Sequence, residues 1–264
     1  MDLGFADATA VIAGGTRGIG LATAVCLAEQ GARVGIVGRS EARLTKTAAT
    51  LAAAGSPEVL TLAADLRSAP AVDAVFEEVR MRWGGLNVLV NAAGPVGAGR
   101  FEDLDDAEWK VAFDSGVISA VRTVRAALPL LRAAPWARVV NVTAMSVQHQ
   151  SPRLVSYTAA KSGLLSVTKN LARSLAAEGI LVNAVAPGPI LTDWARPVLV
   201  RAGIEMDDPA GAFRLLGRDH GMSVDLGRLG LPQEVAAVIA FCASRANTYM
   251  TGAHLNVDGG SDFL

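Results

Sequence analysis

Residues 9–20 read TAVIAGGTRGIG, a short apolar run that passes directly into a glycine-rich turn and a helical sequence. The backbone N–H groups of such a turn, together with the positive end of the following helix, favour a pyrophosphate. Glycine also occurs in tight turns for purely steric reasons, so the turn alone leaves a structural role open. Its position after the first apolar run favours a dinucleotide site that includes Gly14, Thr16, Arg17, Gly18, Ile19 and Gly20.

Beyond this turn, short apolar runs alternate with longer stretches of helical period. The predicted strands are Thr9–Ala13, Arg33–Gly38, Val59–Ala64, Leu86–Val90, Arg138–Thr143, Leu181–Ala186 and His254–Val257. The predicted helices are Gly18–Gln30, Glu41–Ala54, Ala69–Trp83, Asp105–Arg132, Arg153–Glu178 and Gln233–Ala243. Strands that alternate with such helices form a parallel sheet covered on both faces. We predict a single α/β domain over residues 1–264, doubly wound and Rossmann-like, with a mainly parallel seven-stranded sheet.

The end of the second predicted strand indicates which dinucleotide is bound. A dinucleotide fold usually carries an acidic residue there for the ribose 2′-hydroxyl, but this chain has Arg39. Arg39 and Arg17 can form charge-assisted hydrogen bonds to a ribose 2′-phosphate, which favours NADP(H) and leaves NAD(H) as the second choice. Alternatively, both arginines are ordinary surface residues and Glu41 reaches the ribose.

Composition excludes several classes of protein. The 24 Lys and Arg residues nearly balance the 25 Asp and Glu residues and are scattered, so no nucleic-acid partner is expected. Residues 1–5 carry no signal-peptide pattern, and no run of 18 apolar residues occurs, which predicts a cytoplasmic protein without a membrane partner. Cys26 and Cys242 lie in apolar helical patterns, as small buried side chains do. We expect a small-molecule substrate and no metal.

Tyr157 and Lys161 are four residues apart in a predicted helix and therefore share one face. A phenol titrates near pH 10, and a neighbouring ammonium favours the phenolate, so Lys161 is expected to lower the pKa of Tyr157. Tyr157 is then a candidate for proton transfer. A Y-x-x-x-K pair on its own is more often an exposed helix pair.

In combination, these motifs resemble the compact single-domain members of the short-chain dehydrogenase/reductase family. The resemblance covers nearly all 264 residues. It includes the glycine turn, Asp65-Leu66, Asn91-Ala92-Ala93-Gly94, Tyr157-x-x-x-Lys161, Pro187-Gly188 and Val257-Asp258-Gly259-Gly260. The order of these motifs along the chain carries the resemblance more than any one of them does.

The resemblance implies further roles for residues of this chain. It places Asp65 near the adenine ring, residues 91–94 under the cofactor, and Ile190 and Thr192 on the nicotinamide carboxamide. It gives Lys161 a hydrogen bond to the nicotinamide ribose as well as support of Tyr157. The cofactor-binding set implied beyond the glycine turn and Arg39 is Asp65, Leu66, Asn91, Ala92, Gly94, Tyr157, Lys161, Pro187, Gly188, Ile190 and Thr192. Compact members are usually tetramers, so a homotetramer is expected.

Besides Ala13, a mild departure that replaces a family threonine, two family positions are changed in this chain. The serine that polarises the substrate carbonyl is replaced by Ala144, and the asparagine that holds a water near the lysine is replaced by Gly116. Loss of one such donor typically costs about 10²–10³ in rate. Glycine in a helix is unfavourable by about 1 kcal/mol relative to alanine, so a kink or a close approach is expected at Gly116. A backbone carbonyl and a water there can still serve Lys161.

Four residues are candidates to replace the hydrogen bond of the missing serine hydroxyl. Ser146 lies two residues after Ala144, and alternation in an extended chain would point both to the same side. Thr143 is the other neighbouring hydroxyl. His149 and Gln148 are weaker candidates, because a loop histidine is more often a solvated residue. Ser146 is therefore the predicted third catalytic residue.

The region 189–232 is the one long irregular-looking stretch and is expected to cover the substrate. Its apolar residues favour a bulky apolar ketone or alcohol, although they could equally pack a helical lid: Trp194, Val198, Leu199, Ile204, Met206, Phe213, Leu215 and Met222. The leading hypothesis is an NADP(H)-dependent ketone/secondary-alcohol oxidoreductase. The alternatives are a catalytically weak NADP(H)-binding protein with a regulatory or structural role, and an enzyme of epimerisation or dehydration on the same fold.

Overall fold

The computed structural model describes residues 2–94, 97, 99–220 and 223–261. Its strands are β1 (Thr9–Ala13), β2 (Arg33–Gly38), β3 (Val59–Ala63), β4 (Val88–Asn91), β5 (Ala137–Val142), β6 (Ile180–Pro187) and β7 (His254–Val257). All neighbouring strands pair in parallel, in the order β3-β2-β1-β4-β5-β6-β7. The predicted doubly wound, seven-stranded sheet is confirmed, with small shifts in strand bounds.

The strand order reverses direction beside β1. The chain places β2 and β3 on one side of β1 and then crosses to β4 on the other side. In open α/β sheets, the loops that leave the two strands at such a reversal diverge and form a ligand crevice at their carboxyl ends. Every residue of β1 is buried, with Ile12 in the core on one face and Val11 in the core on the other.

Helices cover both faces of the sheet. They are α1 (Gly18–Ala28), α2 (Glu41–Ala53), α3 (Ala69–Trp83), α4 (Asp106–Phe113), α5 (Ser119–Ala133), α6 (Val155–Leu175), α7 (Arg196–Ala202), α8 (Pro209–His220) and α9 (Pro232–Ala243). Apolar side chains of α1, α2 and α9 form the core on one face, and those of α3, α5 and α6 form the core on the other. Within the described part of the chain, no helix is both long and apolar enough to cross a membrane.

The single helix predicted over Asp105–Arg132 is interrupted. It begins with a capping box in which Asp105 and Glu108 bond each other's backbone N–H groups. A π-helical turn over Asp114–Ile118 then separates α4 from α5. The irregularity predicted at Gly116 is therefore confirmed, and such turns often occur at functional sites.

The region 189–232 looked irregular in the sequence, but the structure shows regular helices in it. It contains α7 and α8, whose apolar residues pack together as a small core of their own. That core consists of Leu191, Ala195, Leu199, Ala212, Leu216 and Leu229, with Ile204, Met206, Phe213, Leu215 and Leu231 packed against it. The helical packing that the sequence left open as an alternative is therefore present. The sequence did not mark α7 and α8 because two short helices separated by a turn give too few residues of helical period to identify each one.

Candidate active site

The glycine turn lies at the carboxyl end of β1, where the fold places the crevice. A Cβ on Gly14 would lie 2.8 Å from the Ala93 nitrogen, so only glycine lets the turn approach the segment after β4 this closely. A Cβ on Gly20 would lie 2.2 Å from the Gly14 oxygen, so the close packing of α1 against the turn also requires glycine. Arg17 precedes α1 without a side-chain cap, which leaves first-turn N–H groups for an anion.

Two further contacts join the predicted cofactor segments. A Cβ on Gly18 would lie 3.4 Å from the Thr192 Cγ2 atom, so the helix start faces the loop after β6. A Cβ on Gly94 would lie 3.6 Å from the Lys161 Nζ atom. Four segments distant in sequence therefore meet at one edge of the sheet: the glycine turn, residues 91–94, the start of α6 and residues 188–192.

The predicted site residues differ in how they contribute to this edge. The Asn91 side chain is turned into the sheet, where it accepts a hydrogen bond from Thr123 at 2.6 Å and donates one to Asn141 at 2.9 Å. Its role is thus to brace β4 and β5. Gly188 donates its N–H to the Val257 oxygen at 3.0 Å, which ties the loop after β6 to the terminal motif. Ile190 is buried in the core.

A group of charged side chains lies where β2 and β3 end. Arg39 and Arg17 are exposed. Exposure fits both a phosphate-binding role and an ordinary surface position. Arg67 donates hydrogen bonds to both carboxylate oxygens of Asp65, at 2.7–3.1 Å. These bonds are the main reason why the pKa of Asp65 is lowered to about 2, and Arg39 adds to the effect through its charge. Sequence reasoning missed Arg67, although its spacing from Asp65 was a usable signal.

Lys161 is held inside the protein by one strong contact. The side chain is buried, and Nζ donates a hydrogen bond to the Val142 carbonyl oxygen at 2.7 Å. Burial lowers the pKa of Lys161 to about 8. The ammonium is placed by the end of β5, one helical turn from Tyr157 on the same face of α6.

The lowered pKa predicted for Tyr157 is not found. Burial raises the pKa of Tyr157 to about 12, so desolvation outweighs the attraction between ammonium and phenolate. The geometry explains why, because Lys161 Nζ lies 5.8 Å from the centre of the Tyr157 ring, in a position facing the ring. At neutral pH the phenol keeps its proton and is suited to act as an acid.

The loop that carries the missing family serine is not extended. Ala144 is buried, and a 3₁₀ turn over Met145–Val147 begins directly after it. The alternation expected to align Ser146 with Ala144 therefore does not apply. The Ser146 hydroxyl is buried and accepts a hydrogen bond from the Thr158 hydroxyl at 3.1 Å. The extended alternation failed because the turn rotates the chain.

The other candidate substitutes are placed elsewhere. Thr143 donates a hydrogen bond to the Val185 oxygen at 3.1 Å and lies 3.0 Å from Nε2 of His254, so its hydroxyl faces β6 and β7. Gln148 is exposed and His149 is partly exposed. Of the two neighbouring hydroxyls, Ser146 is the one joined to α6, beside Tyr157.

Gly116 packs tightly against α6. A Cβ there would lie 3.0 Å from the Ala160 Cβ atom. The Ser115 oxygen accepts a hydrogen bond from Ser119 at 2.7 Å, and a Cβ on Gly94 would lie 3.9 Å from that oxygen. The Ser115 carbonyl of the π-helical turn and Lys161 Nζ thus both lie near Gly94, without an asparagine side chain between them.

Only some of the apolar residues predicted to cover the substrate remain exposed. Trp194 and Val198 are each 45% exposed, whereas Leu199, Ile204, Met206, Phe213 and Leu215 pack within the segment's own core. Met222 lies outside the described residues. No group of three or more His, Cys, Asp or Glu side chains suited to a metal occurs among the residues that the structure describes.

Comparisons with known proteins cover nearly the whole chain. The family described as enoyl-(acyl carrier protein) reductase matches residues 13–262. The 3-oxoacyl-[acyl-carrier-protein] reductase FabG of Salmonella typhimurium is 32% identical over 260 residues, covering 98% of each protein. L-Sorbose reductase from Gluconobacter frateurii, complexed with NADPH and L-sorbose, has a TM-score of 0.91 at 30% identity and covers 100% of both chains. An NADPH-bound short chain oxidoreductase from Pseudomonas aeruginosa PAO1 with an atypical catalytic center has a TM-score of 0.88 at 31% identity, covering 97% of this chain and 98% of that chain.

Proposed function

Because the chain belongs to the short-chain dehydrogenase/reductase family, we propose that it interconverts a ketone and a secondary alcohol with NADP(H). The observation that carries the proposal is the placement of Tyr157 and Lys161. Both lie on one face of α6, at the edge where the glycine turn and residues 91–94 meet. This placement is what distinguishes a catalytic dyad from an exposed helix pair, since the Lys161 side chain is buried.

The residues of the crevice fit NADP(H). Gly14 and Gly20 leave no room for a side chain, and the open start of α1 suits a pyrophosphate. Arg39 and Arg17 can bind a 2′-phosphate, and position 39 carries no acidic side chain that would repel it. The rest of the proposed cofactor-binding set consists of Leu66, Ala92, Pro187, Gly188, Ile190 and Thr192. Two relatives of similar fold were solved with NADPH, and the cofactor, when bound, supplies or accepts the hydride.

The protein's own groups handle the substrate oxygen and the proton. In the reductive direction, the Tyr157 hydroxyl donates its proton to the carbonyl oxygen, and its raised pKa keeps that proton in place at neutral pH. Lys161 carries positive charge below pH 8 and supports the phenolate that results. Ser146 supplies the hydrogen bond to the carbonyl oxygen that Ala144 cannot make. The phenolate left on Tyr157 regains its proton from solvent, by way of Lys161 and water near the Ser115 carbonyl.

A bulky, apolar ketone is the proposed substrate. Trp194 and Val198 support it, since both remain exposed on the segment that borders the crevice. The test is NADPH consumption with 1-decalone, camphorquinone and menadione, compared with L-sorbose and an acetoacetyl thioester. Faster turnover of the first three supports the proposal, and a preference for L-sorbose or the thioester would replace it with a polar or acyl substrate.

A catalytically weak NADP(H)-binding protein is the second candidate. Ala144 and Gly116 favour it, because both positions lack the polar side chain of the family pattern. NADPH binding by isothermal titration calorimetry, without reduction of any carbonyl in the panel and without oxidation of the matching alcohols, would make this candidate the leading one. The buried, hydrogen-bonded Lys161 argues for activity.

We also propose a homotetramer in the cytoplasm. Strand β7 is at an edge of the sheet, and Val111, Phe113 and Ile118 are exposed apolar residues on α4 and the π-helical turn, so both surfaces suit copies of the same chain. Cys26 and Cys242 are free thiols, in keeping with a reducing compartment. Light scattering after gel filtration would give the mass directly, and a monomeric mass would reject the assembly.

A further inference from the structure

Among the residues that the structure describes, the Thr158 hydroxyl has one hydrogen-bond partner, Ser146, and this bond joins two parts of the site. Thr158 follows Tyr157 on α6, and Ser146 lies in the 3₁₀ turn that follows Ala144. Both side chains are buried, with 6% and 3% of their surfaces exposed. Their oxygen atoms are 3.1 Å apart. A bond between two buried side chains fixes both rotamers, so the turn after β5 and the start of α6 are held in register.

The direction of this bond decides what Ser146 can do. Thr158 donates its hydrogen, and the Ser146 oxygen accepts it. The hydrogen of Ser146 then has no acceptor among the residues described in the structure, although a hydroxyl can donate once and accept twice. Leaving a buried donor unsatisfied is costly, which points to an acceptor supplied from outside the chain. A carbonyl oxygen of a substrate is such an acceptor.

We propose that Thr158 is a positioning residue that holds Ser146 as the hydrogen-bond donor to the substrate carbonyl. This inference rests on the proposed function, in which Ser146 replaces the hydroxyl lost at Ala144. Two consecutive hydrogen bonds polarise one another, so donation from Thr158 also strengthens donation by Ser146. A threonine beside the catalytic tyrosine thereby compensates for an alanine fourteen positions earlier.

The test compares Thr158→Val, Thr158→Ser and Ser146→Ala in NADPH-dependent reduction of 1-decalone or, if it is not reduced, of the best ketone in the panel. Ser146→Ala should lower kcat by about 10²–10³. Thr158→Val keeps the shape but loses the hydroxyl, and should lower kcat by roughly tenfold with KM and NADPH affinity nearly unchanged. Thr158→Ser should restore kcat to within about twofold to threefold, since it restores the donor. The double variant Ser146→Ala/Thr158→Val should be no slower than Ser146→Ala.

Thr168→Val is the matched control. Thr168 is a buried threonine on the same helix, and its hydroxyl bonds Asn141 at 2.9 Å, away from Tyr157. This variant should lower the melting temperature and leave kcat unchanged. If Thr158→Val unfolds at the assay temperature, Thr158→Ala replaces it, and each variant's melting curve accompanies its kinetics.

The outcomes separate this inference from the function beneath it. A normal kcat in Thr158→Val with a low kcat in Ser146→Ala overturns the role of Thr158 and leaves Ser146 as the donor. Equal losses from Thr158→Val in the presence and absence of Ser146 also overturn it, because Thr158 then acts elsewhere. Normal kcat in both single variants removes Ser146 from the mechanism as well. Absence of wild-type turnover with every carbonyl overturns the proposed function itself.

Discussion

The two halves of the crevice differ in how far they depart from the family pattern. On the cofactor side, the glycine turn, Asp65 and residues 91–94 all carry the expected residues, and backbone contacts such as that between Gly14 and Ala93 determine them. On the substrate side, Ala144 and Gly116 stand where polar side chains are expected. A backbone cradle tolerates little substitution, whereas a hydrogen bond can be supplied by another group nearby. The substrate side can therefore change residues and keep its chemistry.

Tyr157→Phe should produce the largest effect on this comparison. The variant loses the proton that the substrate oxygen receives, and general acid catalysis of this type is worth about 10²–10⁴ in rate. We expect kcat for ketone reduction to fall by roughly a thousandfold, with NADPH affinity changed by less than about threefold. Steady-state kinetics and fluorescence titration with NADPH measure the two quantities.

Tyr249→Phe is the control for that prediction, because it changes the chain's other tyrosine, which is 97% exposed. Its kinetics should match those of the wild type. Turnover that survives Tyr157→Phe would show that the proton comes from another group, and the substrate side would then differ from the family in its acid as well.

The sequence predicted the fold and the cofactor correctly for a physical reason. Strand–helix alternation and glycine turns are local patterns, so the sheet and the turn before α1 follow from neighbouring residues. The bond between Thr158 and Ser146 was missed because it needs the 3₁₀ turn after Ala144, which no periodicity marks. The raised pKa of Tyr157 was missed because desolvation depends on burial, which the spacing of two residues does not give.

Arg39→Asp should have the next largest effect and acts on the cofactor side alone. It removes a charge-assisted bond to the 2′-phosphate and adds a repelling carboxylate, so NADPH affinity should fall by roughly a hundredfold. NADH affinity should change by a few-fold at most, since NADH has no 2′-phosphate. Arg43→Asp makes the same charge change at an exposed site on α2 and serves as the control. Equal losses of NADPH affinity in both variants would point to a general effect of charge and reject the role of Arg39.

Burial of Lys161 predicts how stability depends on pH. Its pKa is about 8 in the folded protein and 10.5 when unperturbed. Between these values the unfolded chain binds more protons, so this group makes the folded state more stable as pH rises. From pH 8 to pH 9.5, wild-type stability should rise relative to Lys161→Met by about 1.6 kcal/mol. Urea unfolding at the two pH values measures it.

The pH range also separates Lys161 from Tyr157. The raised pKa of Tyr157, about 12, destabilises the folded state as pH rises only above pH 10, because the unfolded phenol ionises first. Measurements below pH 10 therefore report Lys161. A stability difference between wild type and Lys161→Met that stays constant from pH 8 to 9.5 would contradict a buried, titrating ammonium.

Gly116→Ala should have the smallest effect, and it tests whether the substrate side lost its asparagine or adapted its packing. Alanine favours a helix by about 1 kcal/mol over glycine, but its Cβ would lie 3.0 Å from the Ala160 Cβ atom, and overpacking typically costs about 1–3 kcal/mol. We expect a net loss near 1 kcal/mol, a fall in melting temperature of roughly 2–4 °C. Adding Ala160→Gly should relieve the contact, so the double variant should lose less stability than the two single losses combined. Additive losses, or a stabilised Gly116→Ala, would show that the π-helical turn has room for a side chain and that glycine at this position is not imposed by its contact with α6.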